Sequence, residues 1–482
     1  MPPASGIYVD GEWVESSTGE TTGVEDPATG ETVGEIHVAS ASDAERAIEA
    51  AVGAQAEWAA TPGPERGAIL RRTGELLAER KDGVAETLTR EEGKTLAEAS
   101  GEVQRAVDIF HYYGEKAREI GGTVKAASSS EKRLRTEKEP LGTVSLITPW
   151  NYPIAIPAWK LAPALATGNT AVLKPATVAP GPSRAIVECL AEAGLPAGVA
   201  NYVTGSGSEL GPVLTEHEDV DGVSFTGSTV VGTGVYQSAA ADMKRVQCEM
   251  GGKNPTVVAP SADFEAAVEA VGAGAFGVTG QACTACSRAV VHEDVYDEFV
   301  SAVADYAESL TVGSGLDDVD MGPHVTADEL ESTLEYVDIA RDEGATLVTG
   351  GGRPSDDDAA AGHFVEPTVF ADVESDMRIA REEVFGPVLA VIEVSDLDEA
   401  IAVANDVEFG LSASIFTQDL SETHAFTDRV EAGVAKVNEK TTGLELHVPF
   451  GGYKGSSTNT YREQGDAAID FFTSTKTVYL NY

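Results

Sequence analysis

The chain has 482 residues, of which 79 are acidic and 33 basic, so its formal net charge is −46. Phosphate backbones and anionic membrane surfaces would repel so acidic a chain, and we expect neither nucleic acid nor membrane as a partner. No apolar run approaches the ~20 residues of a membrane-spanning helix, and the N-terminus lacks a basic-then-apolar leader, so we expect a cytoplasmic protein.

The sign of the charge, and not its amount, is unusual, since only 23% of the residues are charged. One explanation is an ordinary acidic protein. The other is adaptation to molar salt, where the Debye length falls to ~3 Å and self-repulsion is screened. We favour the second and expect a halophilic source.

Apolar spacing predicts helices over 42–60, 62–81 and 98–120, the first with a capping box formed by Ser42 and Glu45. Residues 121–139 are polar and alternating, which predicts a protruding hairpin. The β-prone run at 473–479 could pair with it.

From residue 142 short apolar strands alternate with helices, and the alternation restarts after residue 252. This pattern predicts two α/β units with parallel sheets, the second interrupted by a solvated loop at 351–362. Ligands bind such sheets at the carboxyl ends of the strands.

The segment Gly280-Gln281-Ala282-Cys283 suits a thiol at a helix N-terminus, where the dipole favours the thiolate. A buried structural cysteine is the alternative. Cys286 completes a C-x-x-C pair, but the remaining cysteines, Cys189 and Cys248, are far apart in sequence. We therefore expect no metal site, and free thiols in a reducing compartment.

Three further motifs follow predicted strands, and each is weak alone. Glu249 precedes two glycines and could act as a base in a cleft, or be a solvated turn residue. Asn151 lies in a proline-flanked loop and could donate to an oxyanion. Small residues over 226–232 would let a phosphate approach a helix N-terminus.

Taken in order, these motifs resemble the aldehyde dehydrogenase superfamily along essentially the whole chain. The landmarks are Pro149-Trp150-Asn151, Lys174-Pro175, Phe225-Thr226-Gly227-Ser228, Glu249-Met250-Gly251-Gly252-Lys253, Gly280-Gln281-Ala282-Cys283, Glu382-Glu383-Val384-Phe385-Gly386-Pro387 and Pro449-Phe450-Gly451-Gly452.

The resemblance implies that Cys283 attacks an aldehyde, that Asn151 and the Cys283 N–H hold the oxyanion, and that Glu249 activates water to release an acid. Members that transfer the acyl group to coenzyme A lack this carboxylate, so Glu249 favours hydrolysis. A non-catalytic protein on the same fold would be expected to lose one of these three residues.

The resemblance also assigns a nicotinamide cofactor site. Members that prefer NAD carry a Glu at the position of Thr177, so Thr177 beside Lys174 predicts that NADP is preferred, with NAD also possible. The expected cofactor-binding residues are Trp150, Lys174, Thr177, Gly227, Ser228, Glu383 and Phe385.

The substrate is a finer inference. Residues 441–452 and 462–465 resemble the subgroup that oxidises α-ketoglutarate semialdehyde in pentose and sugar-acid degradation, with succinate semialdehyde, lactaldehyde and glycolaldehyde as alternatives. An anionic substrate needs a cationic anchor. Lys160, Arg105 and Arg462 are candidates that the sequence does not separate.

The resemblance divides the chain into a dinucleotide-binding domain (1–120 and 142–251), a catalytic domain (252–450) and a small β oligomerisation domain (121–141 and 459–482). It implies a homodimer or a homotetramer. A Cys283–Cys286 disulfide that inactivates the protein under oxidation is a further hypothesis.

Overall fold

A computed structural model describes residues 5–355 and 361–482. The strands in chain order are β1 (Ile7–Val9), β2 (Glu12–Val14), β3 (Thr21–Asp26), β4 (Glu31–His37), β5 (Val124–Lys125), β6 (Lys132–Pro140), β7 (Thr143–Ile147), β8 (Thr170–Lys174), β9 (Ala200–Tyr202), β10 (Gly222–Thr226), β11 (Arg245–Glu249), β12 (Asn254–Val258), β13 (Cys286–His292), β14 (Thr346–Thr349), β15 (Thr368–Ala371), β16 (Val388–Val394), β17 (Phe409–Gly410), β18 (Ser412–Phe416), β19 (Val434–Val437), β20 (Tyr453–Lys454) and β21 (Thr473–Asn481).

The α-helices of the same residues are α1 (Ala41–Ala60), α2 (Gly63–Glu79), α3 (Lys81–Glu92), α4 (Leu96–Lys116), α5 (Ala155–Ala166), α6 (Gly181–Glu192), α7 (Gly207–Glu216), α8 (Thr229–Ala241), α9 (Phe264–Phe276), α10 (Tyr296–Ser309), α11 (Ala327–Glu343), α12 (Arg378–Arg381), α13 (Leu397–Asn405), α14 (Leu420–Arg429) and α15 (Gly465–Phe471). A 3₁₀ turn, Gly277–Gly280, follows α9.

The first sheet has the strand order β11-β10-β7-β8-β9-β1-β2, and its first five strands are parallel. Its central strands are almost fully buried, as expected for a parallel sheet covered by helices on both faces. Every residue of α5 is buried, because this helix lies between the sheet and the N-terminal helices.

The second sheet has the order β14-β15-β16-β13-β12-β18-β19, parallel except for β14 at one edge. The protein therefore has two α/β units with parallel sheets, which confirms the predicted fold class. Since β11 ends at Glu249 and β12 begins at Asn254, the four residues between them connect the two sheets.

The small third sheet, β21-β6-β5, is antiparallel. Strand β21 pairs with β6 along nine residues, from Thr473 opposite Pro140 to Asn481 opposite Lys132. The predicted pairing of the C-terminal run with the hairpin is thus confirmed.

The start of α1 differs from the prediction. The helix is capped by Ser40 and Asp43, which bond reciprocally to each other's backbone N–H groups, and not by Ser42 and Glu45. Asp43, and not Glu45, forms the cap because its carboxylate also accepts from the Ser17 N–H.

The predicted loop at 351–362 lies partly outside the described residues. Among the residues that the structure does describe, none of the helices combines the length and the apolarity needed to cross a membrane.

Candidate active site

Cys283 lines two cavities that meet at its side chain. One, of about 200 Å³, is bounded by most of the predicted site residues, namely Trp150, Asn151, Gly227, Ser228, Glu383 and Phe385. The other, of about 330 Å³, runs along α4 and α5. A thiol at this junction can react with a ligand held in either cavity.

The surroundings of Cys283 differ from those predicted. The residue lies in a turn between the 3₁₀ turn and β13, and not at a helix N-terminus. Burial, together with the charges of Glu383 and Glu249, raises the pKa of the thiol well above its ordinary value. The apoprotein therefore favours the neutral thiol, and the predicted dipole effect is wrong.

The turn before Cys283 has unusual backbone geometry. Val278 and Thr279 have φ of 52° and 55°, and Gly280 follows at 67°. β-branched residues seldom adopt left-handed conformations, so surrounding contacts must hold them. Glu98 accepts from the Val278 N–H at 2.7 Å, and the Thr279 hydroxyl donates to the Gly322 carbonyl at 2.9 Å.

Asn151 is buried beside Cys283 in the loop that follows β7. Its side-chain amide donates to the Gln281 carbonyl at 2.9 Å. An amide nitrogen carries two N–H donors, so one remains for a ligand oxygen. This bond fixes the direction of the amide relative to the turn that carries the thiol.

A buried ion pair that the sequence analysis missed holds the Asn151 loop. Lys94 Nζ donates to Glu102 Oε2 at 2.6 Å and to the Asn151 carbonyl at 2.7 Å. The other oxygen of Glu102 accepts from the N–H groups of Ile154 and Ala155, each at 3.0 Å. The Lys94–Glu102 pair thus fastens both ends of the loop to α4.

Glu249 ends β11 and is buried. One carboxylate oxygen accepts from the Gly452 N–H at 3.2 Å, and the other has no partner among the described residues. Burial and the neighbouring Glu463 raise the pKa of Glu249 well above its ordinary value. A carboxylate with a free oxygen and a raised pKa has the properties of a general base.

Two cations moderate this pKa shift. Arg462 and Lys160 both lower the pKa of Glu249, against the larger effect of burial. Lys160 is an ion-pair partner of Glu463 and also donates to the Ser224 hydroxyl at 2.8 Å. Arg462 donates to the Gly452 carbonyl and lies over the Tyr453 ring at 5.0 Å.

The first cavity also contains a helix N-terminus. Ser228 caps α8, accepting from the Val231 N–H at 3.4 Å, and follows Gly227 at the end of β10. A helix N-terminus at a strand's carboxyl end favours phosphate binding.

On the opposite wall, Glu383 accepts from the Gly252 N–H at 2.8 Å, and burial raises the pKa of Glu383 to about 7. The Trp150 and Phe385 rings meet edge-on with centroids 5.4 Å apart. The Glu383 carboxylate and the two rings thus line a wall of the cavity that is apolar where the rings lie.

Two predicted cofactor residues lie outside this cavity. Lys174, at the end of β8, is buried and donates to the Pro175 carbonyl at 3.2 Å, and burial lowers the pKa of Lys174 to about 8. Its carbonyl accepts from the Thr148 N–H. Thr177 lines a different cavity, together with Glu25, Asp328 and other residues.

Cys286 does not point toward the site. It belongs to the core cluster between α9 and the second sheet, and its thiol contacts the Thr256 hydroxyl at 3.2 Å. Both Cys283 and Cys286 are free. The structure thus gives no support to the disulfide hypothesis, because the two side chains have different surroundings.

The second cavity contains one of the three candidate anchors. Arg105 lines it together with Tyr152, Trp159 and Cys283, among others. Neither Lys160 nor Arg462 lines it. The sequence alone could not show which of these three cations lines the cavity. Each belongs to a different element, and the relative positions of these elements depend on the tertiary structure.

The comparisons with known proteins cover nearly the whole chain. Residues 13–478 match the aldehyde dehydrogenase family. The chain is 62% identical, over the full length of both proteins, to the alpha-ketoglutarate semialdehyde dehydrogenase of Haloferax volcanii. It is 44% identical to the 2,5-dioxopentanoate dehydrogenase of Saccharolobus solfataricus, covering 97% of this chain and 98% of the relative.

Comparison with solved structures points to the same family. The betaine aldehyde dehydrogenase of Staphylococcus aureus in complex with NAD+ superposes with a TM-score of 0.96 at 35% identity, covering 99% of this chain and 95% of that one. A putative aldehyde dehydrogenase from Burkholderia cenocepacia gives 0.97 at 35% identity, covering 99% and 97%. With a cysteine thiol at the junction of two cavities and matches over nearly the whole chain, the protein belongs to the aldehyde dehydrogenase family.

Proposed function

We propose that this enzyme oxidises α-ketoglutarate semialdehyde to 2-oxoglutarate, with Cys283 as the nucleophile and NADP as the preferred hydride acceptor. The observation that carries the proposal is the position of Cys283 between two cavities, one lined by Gly227 and Ser228 at the N-terminus of α8 and one lined by Arg105. The full-length similarity to relatives named for this substrate supports it.

In the proposed reaction the Cys283 sulfur attacks the aldehyde carbon after losing its proton. The resulting oxyanion accepts from the remaining Asn151 N–H and from the Cys283 backbone N–H. A donor of this kind typically contributes a factor of ~10²–10³ to kcat. Collapse of the tetrahedral adduct expels a hydride and leaves a thioester on Cys283.

The cofactor supplies the hydride acceptor when it is bound. We assign its phosphates to the N-terminus of α8 at Gly227 and Ser228, and its nicotinamide ribose to Glu383. Trp150 and Phe385 would hold the ring and exclude water from it. Residues 1–120 and 142–251 then form the dinucleotide-binding domain, and 252–450 the catalytic domain.

Glu249 is the base that we assign to hydrolysis. It takes a proton from water as the water attacks the thioester, which releases the carboxylic acid and restores the thiol. Overall, aldehyde, water and oxidised cofactor give carboxylate, reduced cofactor and two protons. Glu463 and Lys160 form a buried ion pair beside Glu249. A proton taken up by Glu249 therefore lies close to this pair.

The NADP preference rests on Thr177. A glutamate at this position would repel a 2′-phosphate, whereas a threonine near the buried Lys174 ammonium would not. Lys174 has a hydrogen bond to a carbonyl but no carboxylate partner among the described residues, so its charge is free to meet an anion. NAD remains a second acceptor.

We further propose a homodimer or homotetramer assembled through 121–141 and 459–482, within a reducing cytoplasm. Strand β21 is an edge of its sheet and exposes Tyr479, which suits pairing with another copy. The four cysteines are free, which fits the compartment. Succinate semialdehyde, lactaldehyde and glycolaldehyde are the alternative substrates.

The test is a panel of short aldehydes and oxoacid semialdehydes, each with NADP and with NAD, in molar KCl. We expect the highest kcat/KM for α-ketoglutarate semialdehyde with NADP, and no activity in Cys283→Ser. A higher kcat/KM for a neutral aldehyde would contradict the substrate assignment.

A further inference from the structure

Arg105 has no ion-pair partner in the described part of the chain, although it lies in the cavity that contains the Cys283 thiol. Its guanidinium makes one side-chain contact, donating from Nη2 to Gln464 Oε1 at 3.2 Å. The side chain is partly buried and lines the same cavity as Cys283. With 79 acidic residues available, a half-buried arginine without a carboxylate leaves room for an anion from outside.

The acidic residues that line the same cavity do not pair with Arg105. Glu98 accepts from the N–H groups of Val278 and Thr95, and Glu102 is held by Lys94 and the N–H groups of Ile154 and Ala155. Both carboxylates are thus committed to the protein.

Gln464 holds Arg105 in place. Its Oε1 accepts from Arg105 Nη2, and Gln464 itself does not line the cavity at Cys283. A guanidinium carries five N–H donors, so this one bond leaves others for a ligand.

The place of Arg105 on α4 sets it beside the thiol. Glu102 holds the Asn151 loop, and Arg105 lies about one turn further along the same face of α4, where it lines the same cavity as Cys283. An aldehyde at Cys283 that carries a carboxylate at its far end can meet this guanidinium within one cavity, whereas a neutral aldehyde has no such group.

Resting on the proposed function, we infer that Arg105, held in place by Gln464, binds the distal carboxylate of the substrate and sets the preference for anionic semialdehydes. Of the three candidate cations, Lys160 is paired with Glu463, and neither Lys160 nor Arg462 lines the cavity at Cys283. A guanidinium can bind a carboxylate through two parallel N–H bonds, which an ammonium cannot.

The experiment compares wild type with Arg105→Gln in molar KCl, using α-ketoglutarate semialdehyde and pentanal, a neutral aldehyde of the same chain length. Loss of a hydrogen-bonded charge pair predicts that kcat/KM for the semialdehyde falls about 10- to 100-fold, mainly through KM. For pentanal we expect no fall. Arg72→Gln, at an exposed arginine of α2, removes the same charge and should change neither value.

Two further measurements guard against a folding defect. Arg105→Lys should recover part of the semialdehyde kcat/KM, since it restores the charge but not the fork. Calorimetric titration with 2-oxoglutarate should give a Kd about 10- to 100-fold weaker in Arg105→Gln, and this readout needs no turnover.

An Arg105→Gln variant that oxidises the semialdehyde like wild type, or loses pentanal activity equally, overturns the inference. A loss confined to kcat does the same. A wild type that leaves the semialdehyde unoxidised contradicts the proposed function instead.

Discussion

Replacement of Lys94 by methionine tests how the Asn151 loop is held. The Lys94 side chain is 1% exposed, and its ammonium lies 2.6 Å from Glu102 Oε2 and 2.7 Å from the Asn151 carbonyl. It also lies 4.4 Å from the centroid of the Tyr152 ring. Methionine fills a similar volume but leaves the Glu102 carboxylate without its cation.

The expected magnitude follows from burial. Removing one partner of a buried, hydrogen-bonded ion pair destabilises a protein by about 3–5 kcal/mol, because the remaining charge is uncompensated. Glu92 adds to the cost, since it lies 3.8 Å from Lys94 and relies on the same ammonium. Because the pair anchors the Asn151 loop, and Asn151 is proposed to hold the oxyanion, a shift of ~1 Å in Asn151 would also lower kcat up to ~10²-fold.

The assay is chemical unfolding in molar KCl together with steady-state oxidation. Lys116→Met is the matched control, since Lys116 lies at the end of α4, the helix that carries Glu102, but pairs with the exposed Glu119 and Asp466. Exposed pairs contribute about 0–1 kcal/mol. A Lys94→Met protein within about 1 kcal/mol of wild type, with unchanged kcat, would refute the reasoning.

Four other predictions address the proposed base, pH, cofactor and salt. Glu249→Gln should keep the burst of reduced cofactor but lose steady-state turnover, and an undiminished steady state would contradict the proposed role of Glu249 as base. Because the base must be deprotonated and burial raises the pKa of Glu249, wild-type turnover should rise with pH as this group ionises, and the pH profile checks this. Thr177→Glu should lower kcat/KM for NADP relative to NAD, and an unchanged ratio would exclude a role in cofactor choice. Lowering KCl from molar to millimolar should destabilise the enzyme, since screening of the −46 charge is lost; full stability in dilute buffer, measured by thermal unfolding, would contradict salt adaptation.

The turn that carries Cys283 shows where a local sequence pattern gave a wrong prediction. The order of motifs placed Cys283 beside Asn151, and the structure agrees. The predicted helix dipole at Cys283 is wrong, because the turn that follows the left-handed residues Val278 and Thr279 leads into β13 at Cys286 and not into a helix. Their conformation depends on Glu98 and Gly322, which are distant in sequence.

The electrostatics of the site could not be predicted from the sequence, for the same reason. Lys94, Lys160 and Arg105 are ordinary cations in the printed sequence. Their roles separate only when α4, α5 and the 462–465 segment are brought together, which decides that Lys94 and Lys160 each meet a carboxylate and Arg105 an amide oxygen.

By itself, the sequence determined the alternation of strands and helices, the pairing of the C-terminal strand and the residues available for chemistry, since these depend on local periodicity and on motifs. Only the tertiary structure decided which charges are paired. A Coulomb interaction depends on distance and burial, and neither is encoded in the spacing of residues along the chain. The net charge of −46 likewise says nothing of Arg105, whose importance comes from having no acidic neighbour within bonding distance in the described structure.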